Sequence, residues 1–209
     1  PQKKENRLLT LYANYNKLVE SIKSSFDVTA GYDYQYWKAT TPLYYEMNTL
    51  GEIQKTSKAK DERHVLLSYY GRLNYSFDSR YMLTTTIRRD ATSRFAKNVR
   101  WGTFPSVALG WRVTEESFLK DNKVLSNLKI RASYGVTGQQ DGIGNYNYLP
   151  IYTQSQNGAE GIMGNEYIHT YRPSSYVPDL KWETTTSWNI GFDFGFLKVK
   201  TDDEGILDV

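Results

Sequence analysis

The sequence predicts an all-β chain that contributes about seven antiparallel strands to a transmembrane β-barrel. Three observations lead to this fold class. Apolar and polar residues alternate along several segments, so that they lie on opposite faces of an extended chain. Each alternating segment is about ten residues long, which is the length that a tilted strand needs to cross a bilayer. No run of apolar residues approaches the roughly 18 that a transmembrane helix requires.

The predicted strands follow one another along the whole chain. The alternation is weaker in the first, second, fifth and sixth strands, whereas Leu67–Phe77 and Tyr81–Arg88 make a clear hairpin about the polar turn Asp78–Arg80. The complete set is Leu9–Tyr15, Phe26–Tyr34, Leu67–Phe77, Tyr81–Arg88, Val107–Val113, Leu128–Val136 and Trp182–Phe196. A single helical turn is predicted after Thr114, because a threonine hydroxyl followed by two glutamates suits a helix N-terminus.

Alternation is clearest in the last predicted strand, where rings and aliphatic side chains occupy one face and polar or small residues the other. The two sets are Trp188, Ile190, Phe192, Phe194 and Phe196 against Asn189, Gly191, Asp193 and Gly195. In a membrane barrel the first face contacts lipid and the second faces a polar lumen. The residues predicted to form the apolar band are Leu83, Ile87, Leu109, Ile130, Ile190 and Phe192. The residues predicted to line the lumen are Arg72, Asn74, Arg88, Arg131 and Asp193.

The connections between the predicted strands alternate in length. Residues 16–23 and 78–80 are short, residues 37–63 and 90–103 are longer, residues 114–127 are intermediate and residues 138–181 are very long. Bacterial barrels have short periplasmic turns and long extracellular loops, so residues 138–181 are predicted to be an extracellular-type loop. The predicted organisation is a barrel segment over residues 1–196 and a non-barrel tail over residues 197–209.

Aromatic residues are placed where a membrane barrel has its interfacial girdles. Tyr75, Phe77 and Tyr81 flank the tightest turn, and Trp111 and Phe196 lie near strand ends on the same side. Trp182 is predicted to lie at the opposite interface. Rings with polar tips suit such boundaries between lipid and water.

The longest predicted loop is the best candidate for ligand contact. Between Gly138 and Tyr171 it carries tyrosines among Asn, Gln and Gly, a composition that offers rings to stack on sugars and amides to hydrogen-bond hydroxyls. The candidate ligand-binding residues are Tyr146, Tyr148, Tyr152, Tyr167 and Tyr171. Loops of this composition also occur where the residues pack only on one another.

Catalytic and cofactor chemistry finds little support in the sequence. The chain contains no cysteine, and its two histidines, His64 and His169, lack the short spacing of a zinc motif. No phosphate-binding loop or nucleophile–base pair is identified, so we predict no enzymatic activity, no metal and no cofactor. A net charge of +3 gives little reason to expect nucleic acid as a partner.

Four ordered motifs resemble successive barrel segments of the SusC/RagA family of TonB-linked outer-membrane proteins. They are IRRDATSRF from Ile87, RWGTFPSVALGWR from Arg100, LKIRASYGVTGQQ from Leu128 and LKWETTTSWNIGFDFGF from Leu180. The resemblance covers Leu66–Phe196 well and the first sixty residues in general character. It implies a barrel of 22 strands in the bacterial outer membrane, a plug domain inside it, a SusD-type lipoprotein lid over its mouth, and TonB-energised uptake of glycans or peptides.

Nothing in the chain resembles the plug or the TonB box, and the sequence after Phe196 departs from the family pattern. The chain is therefore expected to be a piece of a barrel without its plug, in contact with membrane lipid. The alternative is a soluble β-rich module, built as a sandwich, that recognises carbohydrate. A membrane piece must expose the predicted apolar band, whereas a soluble module must bury it.

Overall fold

The computed structural model describes residues 2–119, 124–154, 160–174 and 176–196. Regular structure there consists of β-strands and two single turns of 3-10 helix, Glu20–Ile22 and Val113–Glu115. The strands are β1 (Lys3–Val19), β2 (Ser24–Thr41), β3 (Tyr44–Met47), β4 (Ile53–Ser57), β5 (Lys60–Phe77), β6 (Tyr81–Thr92), β7 (Trp101–Arg112), β8 (Leu125–Gln139), β9 (Tyr152–Gln154), β10 (Glu160–Met163), β11 (Glu166–His169), β12 (Tyr171–Pro173) and β13 (Glu183–Phe196). Within the described ranges, no helix is both long and apolar enough to cross a membrane.

Seven strands form one antiparallel sheet in the order β1-β2-β5-β6-β7-β8-β13. The sheet confirms the predicted all-β fold class, and each predicted strand lies within one of its strands or overlaps it. Neighbours in the sheet are also neighbours among the long strands of the chain, as in an up-and-down barrel wall. Residues in register form rows across the sheet, and one such row is Tyr15, Val28, Leu73, Thr85, Val107, Tyr134 and Trp188.

The connections are arranged as their lengths predicted. The turns after β1, β5 and β7 lie at one end of the sheet, and the connections after β2, β6 and β8 lie at the other. We call these the short-turn end and the long-loop end. The long loops contain paired strands of their own, β3 with β4, β9 with β12, and β10 with β11. These strands have only three to five residues, too few for alternation to reveal them in the sequence.

The helical turn near Thr114 differs from its prediction. It begins at Val113, and no side chain caps its N-terminus. The Thr114 hydroxyl is instead 3.4 Å from the backbone N–H of Leu128, which donates to it. Glu116 follows the turn, and its carboxylate accepts hydrogen bonds from the side chains of Tyr81 in β6 and Trp111 in β7. It therefore does not act as a helix-end charge.

One face of the sheet is apolar and exposed. The predicted band lies on this face in register, because Leu83 pairs with Leu109, which pairs through Ala132 with Ile190. Leu109 is 56% exposed and Phe192 is 55% exposed in the chain by itself. A soluble module would bury these side chains, so the soluble alternative is not favoured. We call this surface the apolar face.

Two aromatic rows border the apolar face. Phe77, Tyr81 and Trp111 stack in sequence near the short-turn end, with ring centroids 6.2 and 6.5 Å apart. Tyr32, Tyr69 and Trp101 are grouped near the long-loop end at 5.2 and 6.1 Å. Along β6, Tyr81 marks the first row, and Arg89 and Ala91, which pair with Tyr69 and Trp101, mark the second. Eight to ten residues therefore separate the rows, which is roughly 20–26 Å of height for a strand tilted by about 40°. That is the height of the apolar band of an outer-membrane barrel.

The buried core lies at the long-loop end. Phe95 has no exposed surface, and its ring and that of Phe104 meet the Trp182 ring edge-on at 5.5 and 5.3 Å. The indole N–H of Trp182 donates to the carbonyl of Arg100 at 2.9 Å. Trp182 is therefore a core residue, and the prediction that it belongs to an interfacial girdle is wrong. Trp101 takes that position at the long-loop end.

Candidate functional site

The second face of the sheet, which we call the polar face, carries the residues predicted to line a lumen. Arg72 is in register with Thr86, Asn74 with Thr84 and Asp193 with Lys129. Arg88 pairs with Tyr70, and Arg131 pairs with Gly110, so both arginines lie on the same face. The structure thus brings all the predicted lumen residues onto one surface. They do not form a single cluster, because they belong to several separate contacts.

Arg88 is the centre of the most buried of these contacts. Its Nε donates to Asp90 Oδ1 at 2.9 Å and its Nη2 donates to Ser68 Oγ at 3.0 Å. A second carboxylate, that of Asp33, is 3.9 Å away, and the Tyr70 ring lies 5.9 Å from the guanidinium. These contacts join β2, β5 and β6. Because Ser68 and Asp90 are buried, Arg88 has little freedom to bind a ligand.

The residues around Arg88 could not be identified from the sequence. Asp33 and Ser68 lie on other strands, and only the strand register brings them to this arginine. The alternation of β2 and β5 does place both on the polar face, so their face was predictable. Their contact with Arg88 was not predictable, because it depends on the strand register.

A more open feature of the polar face is a concave surface across β6, β7, β8 and β13. Its volume is about 440 Å³, and its lining includes Lys129, Arg131, Ser133 and Asn189. Arg131 Nη2 donates to Asp193 Oδ1 at 2.9 Å, and both side chains are about half exposed. Lys129 has no ion-pair partner among the described residues. The concavity therefore presents one uncompensated cation beside an amide and a hydroxyl, groups that can hold a carboxylate or a polyol.

Arg72 and Asn74 make simpler contacts on the same face. Arg72 Nε donates to Thr86 Oγ1 at 3.3 Å, and Thr84 Oγ1 donates to Asn74 Oδ1 at 2.9 Å. Both are cross-strand pairs of β5 and β6. Arg72 is exposed, so its remaining donors are free to meet another part of the protein or a solute.

The tyrosines of the long loop separate into two groups. Tyr146 and Tyr148 are half-buried, and the Tyr146 hydroxyl accepts a hydrogen bond from the backbone N–H of Arg63 at 3.4 Å. Tyr152, Tyr167 and Tyr171 are 66%, 71% and 65% exposed. The register of β9 and β12 places Tyr152 and Tyr171 on the same side of this strand pair. These rings are free to stack on a ligand, whereas Tyr146 attaches the loop to β5.

Arg94 fastens the other side of the same loop. Its Nε donates to Asn145 Oδ1 and its Nη1 to the carbonyl of Gln140, both at 3.1 Å. Nη2 lies 3.4 Å from His64 Nε2, and the imidazole stacks on Trp37 at 4.5 Å. His169, in β11, has its Nδ1 atom 3.2 Å from Glu160 Oε1. No group of metal-ligating side chains is found in the part of the chain that the structure describes.

At the short-turn end, a compact ionic cluster joins three turns. Arg80 binds both Asp78 and Glu116, the latter at 3.2 Å, and Lys23 approaches Asp78 at 3.3 Å. The hydrogen bond from Arg80 holds the pKa of Asp78 below its usual range. Hydrogen bonds from the Tyr81 hydroxyl and then the Trp111 indole lower the pKa of Glu116, with Arg80 adding to the effect. The cluster is therefore built for ionised carboxylates.

Comparison with known proteins places this geometry in a family. A family model described as "TonB dependent receptor-like, beta-barrel" matches residues 3–202. The TonB-dependent receptor SusC of Bacteroides thetaiotaomicron is 43% identical over 199 residues, which cover 88% of this chain and 19% of that protein. TonB-dependent receptor P39 of Formosa agariphila is 31% identical over 226 residues, covering 95% of this chain and 20% of that protein. The chain thus spans about a fifth of the length of these relatives.

Solved structures share the fold. The RagAB peptide importer in its open-open state superimposes with a TM-score of 0.76 at 24% identity, covering 93% of this chain and 22% of that one. The RagAB peptide transporter gives 0.73 at 22% identity, with 94% and 22% covered. Receptors of this kind are outer-membrane β-barrel proteins rather than enzymes, and the outer membrane is where this sheet lies. The chain belongs to the β-barrel family of TonB-dependent receptors, as a segment of the SusC/RagA type.

Proposed function

We propose that this chain forms part of the barrel wall of a TonB-dependent transporter that imports glycans or peptides across the outer membrane. One observation carries the proposal: a single antiparallel sheet has a continuous exposed apolar face on one side and a charged, hydrogen-bonding face on the other. A sheet with these two faces is stable where one side meets lipid and the other meets water or a polar domain.

The polar face then lines the lumen. The polar face carries ion pairs such as Arg88 with Asp90 and Arg131 with Asp193. These pairs stabilise the wall and do not contact lipid. Arg72 and Lys129 keep unused donors, so they are the residues that we expect to contact a plug or a passing solute. β1 and β13 each have one edge unpaired within the described residues, which fits a wall that continues into further strands.

The long-loop end would face the cell exterior. The relatives that share this sheet are named as TonB-dependent receptors, and the RagAB structures are named as a peptide transporter and importer. By that likeness we infer that the whole protein works with a SusD-like lipoprotein lid over the long loops, and with TonB through a plug outside this chain. Both glycan and peptide remain as substrate classes.

Tyr152, Tyr167 and Tyr171 are the ligand-contacting residues that we propose in the long loop. Their exposure leaves the ring faces available, and a stacked ring contributes binding to sugars and to peptide groups alike. Tyr146 also holds the loop through its hydrogen bond to β5, and Tyr148 stays a candidate for ligand contact. No turnover of the solute is expected, because the proposed contacts are rings, amides and ion-paired carboxylates with no nucleophile among them.

The proposal is tested by uptake in cells that carry the whole protein. Labelled oligosaccharides and labelled peptides of graded length are supplied to a deletion strain complemented with the wild type or with a variant. We expect one class to enter in a manner that requires TonB, and a Tyr152→Ala/Tyr171→Ala variant to take it up several-fold more slowly. Tyr44→Ala, in the β3–β4 hairpin of the loop after β2, is the matched control. If neither class requires this protein for entry, the proposed function is wrong.

A further inference from the structure

Arg89 is a cation of the apolar face whose position the barrel wall itself does not explain. Arg89 lies in register with Tyr69 and Thr103, so it points to the same side as Ile87 and the rest of the band. Its guanidinium carbon is 5.0 Å from the centre of the Trp101 ring. No carboxylate forms an ion pair with it among the described residues.

A lipid-facing arginine is costly unless it lies near the membrane surface. The cost is about 2–4 kcal/mol at the bilayer midplane and about 0–1 near the interface. Arg89 is in register with Tyr69 and lies two residues before Ala91, which pairs with Trp101, so it is at the level of the aromatic row at the long-loop end. That level is the headgroup region of the leaflet on the long-loop side. The cation is therefore positioned where lipid phosphates are found.

The surface beside Arg89 has a depression of a size to receive part of a lipid tail. A cavity of about 330 Å³ lies over the small residues Ala30 and Gly71, and Tyr69, Ile87 and Arg89 border it. The depression runs from Arg89 toward the middle of the apolar face. An anionic headgroup at the guanidinium would place its acyl chain in this depression.

Another arginine on the same side of the sheet shows the difference. Arg7 also stacks on a ring, that of Tyr36, at 5.7 Å. Its Nε donates to Glu5 Oε1 at 2.6 Å, so a carboxylate of its own strand neutralises it. Arg7 also lies in β1 beyond the aromatic row, above the band. Of these two arginines, only Arg89 lies in the aromatic row and has no ion-pair partner among the described residues.

We propose that Arg89, with Trp101 and Tyr69, binds the phosphate group of a membrane lipid in the leaflet on the long-loop side. The Trp101 ring holds one face of the guanidinium by cation–π attraction and leaves its N–H groups free to donate to phosphate oxygens. The acyl chain lies in the depression over Gly71. This site rests on the proposed membrane location of the apolar face, but it does not depend on which solute is transported.

The test uses the whole protein purified from outer membranes in detergent. Native mass spectrometry measures retention of dioleoyl phosphatidic acid, which has a phosphate monoester, and of dioleoylglycerol, which lacks it. We expect Arg89→Gln to weaken binding of the phosphatidic acid at this site about tenfold, the loss of one charge-assisted contact. Arg7→Gln is the matched control and should leave it unchanged. A photoreactive acyl chain should cross-link to the strand segments around Gly71 and Ile87.

The outcomes separate the possible failures. Equal retention by wild type and Arg89→Gln, or equal retention of the two lipids, would refute the site. Displacement of phosphatidic acid by millimolar inorganic phosphate would show a site for the free ion and would also refute it. Absence of the wild-type protein from the outer-membrane fraction would instead refute the proposed function. Cross-links confined to other strands would place the lipid elsewhere and overturn the assignment to Arg89.

Discussion

Replacing Phe192 by arginine tests the assignment of the apolar face at its most sensitive point. In β13 the apolar residues run from Trp188 to Phe196, and Phe192 is four residues from each of these ends. At a strand tilt of about 40°, four residues correspond to about 10 Å of height, so Phe192 lies about 10 Å inside each end of the apolar stretch of β13. An arginine there should cost about 2–4 kcal/mol, which lowers the folding equilibrium constant by roughly 30-fold to 900-fold.

The control for this change is Asn189→Arg, which places the same side chain on the polar face three residues away. Asn189 lines the polar concavity, where water can solvate a new charge. The assay is urea-induced unfolding of the whole protein in lipid vesicles, followed by its heat-dependent mobility on gels. We expect a large loss of stability for Phe192→Arg and a small one for Asn189→Arg. The opposite order would mean that the two faces are reversed.

Three further predictions concern the two ends of the sheet and the chemistry of the protein. Folding lowers the pKa of Glu116, so its contribution to stability should be complete above the usual carboxyl pKa and lost as pH falls through the lowered value. The Glu116→Gln variant should therefore have a lower melting temperature at pH 7, and its melting temperature should fall less steeply on acidification. A Cβ at Gly138 would lie 2.1 Å from the buried Phe104 ring, so Gly138→Ala should cost about 1–3 kcal/mol in urea titrations. Gly161→Ala, whose Cβ would meet only ordinary contacts, should be nearly neutral. Incubation of the purified protein with oligosaccharides and peptides should give no hydrolysis by chromatography, and activity lost on changing a single carboxylate would contradict this.

The long strands could be predicted because the information for them is local. In β13 each side chain alternates between lipid and the polar face, and a period of two in the sequence is enough to show it. The same pattern assigned Arg131 and Asp193 to one face. Their direct contact at 2.9 Å also depends on the register of β8 and β13, which the sequence does not display.

The core at the long-loop end was missed for the same reason. Phe95, Phe104 and Trp182 come from three separate motifs, and they meet only because the loops after β6 and β8 fold over the end of the sheet. A tryptophan near a strand end also resembles a girdle residue in the sequence, whichever of the two environments it occupies. The accessibility that distinguishes Trp182 from Trp101 is a property of the packed loops.

The most direct test of the central claim is a scan of solvent and lipid accessibility along β13 in membranes. The chain contains no cysteine, so single cysteines at 188 to 194 can carry a spin label without interference from within it. We expect Ile190, Phe192 and Phe194 to be accessible to oxygen dissolved in lipid but shielded from a water-soluble nickel complex. Asn189, Gly191 and Asp193 should show the reverse. A profile without this alternation, or one in which both reagents reach the apolar face, would contradict the assignment of β13 to the wall of a membrane barrel.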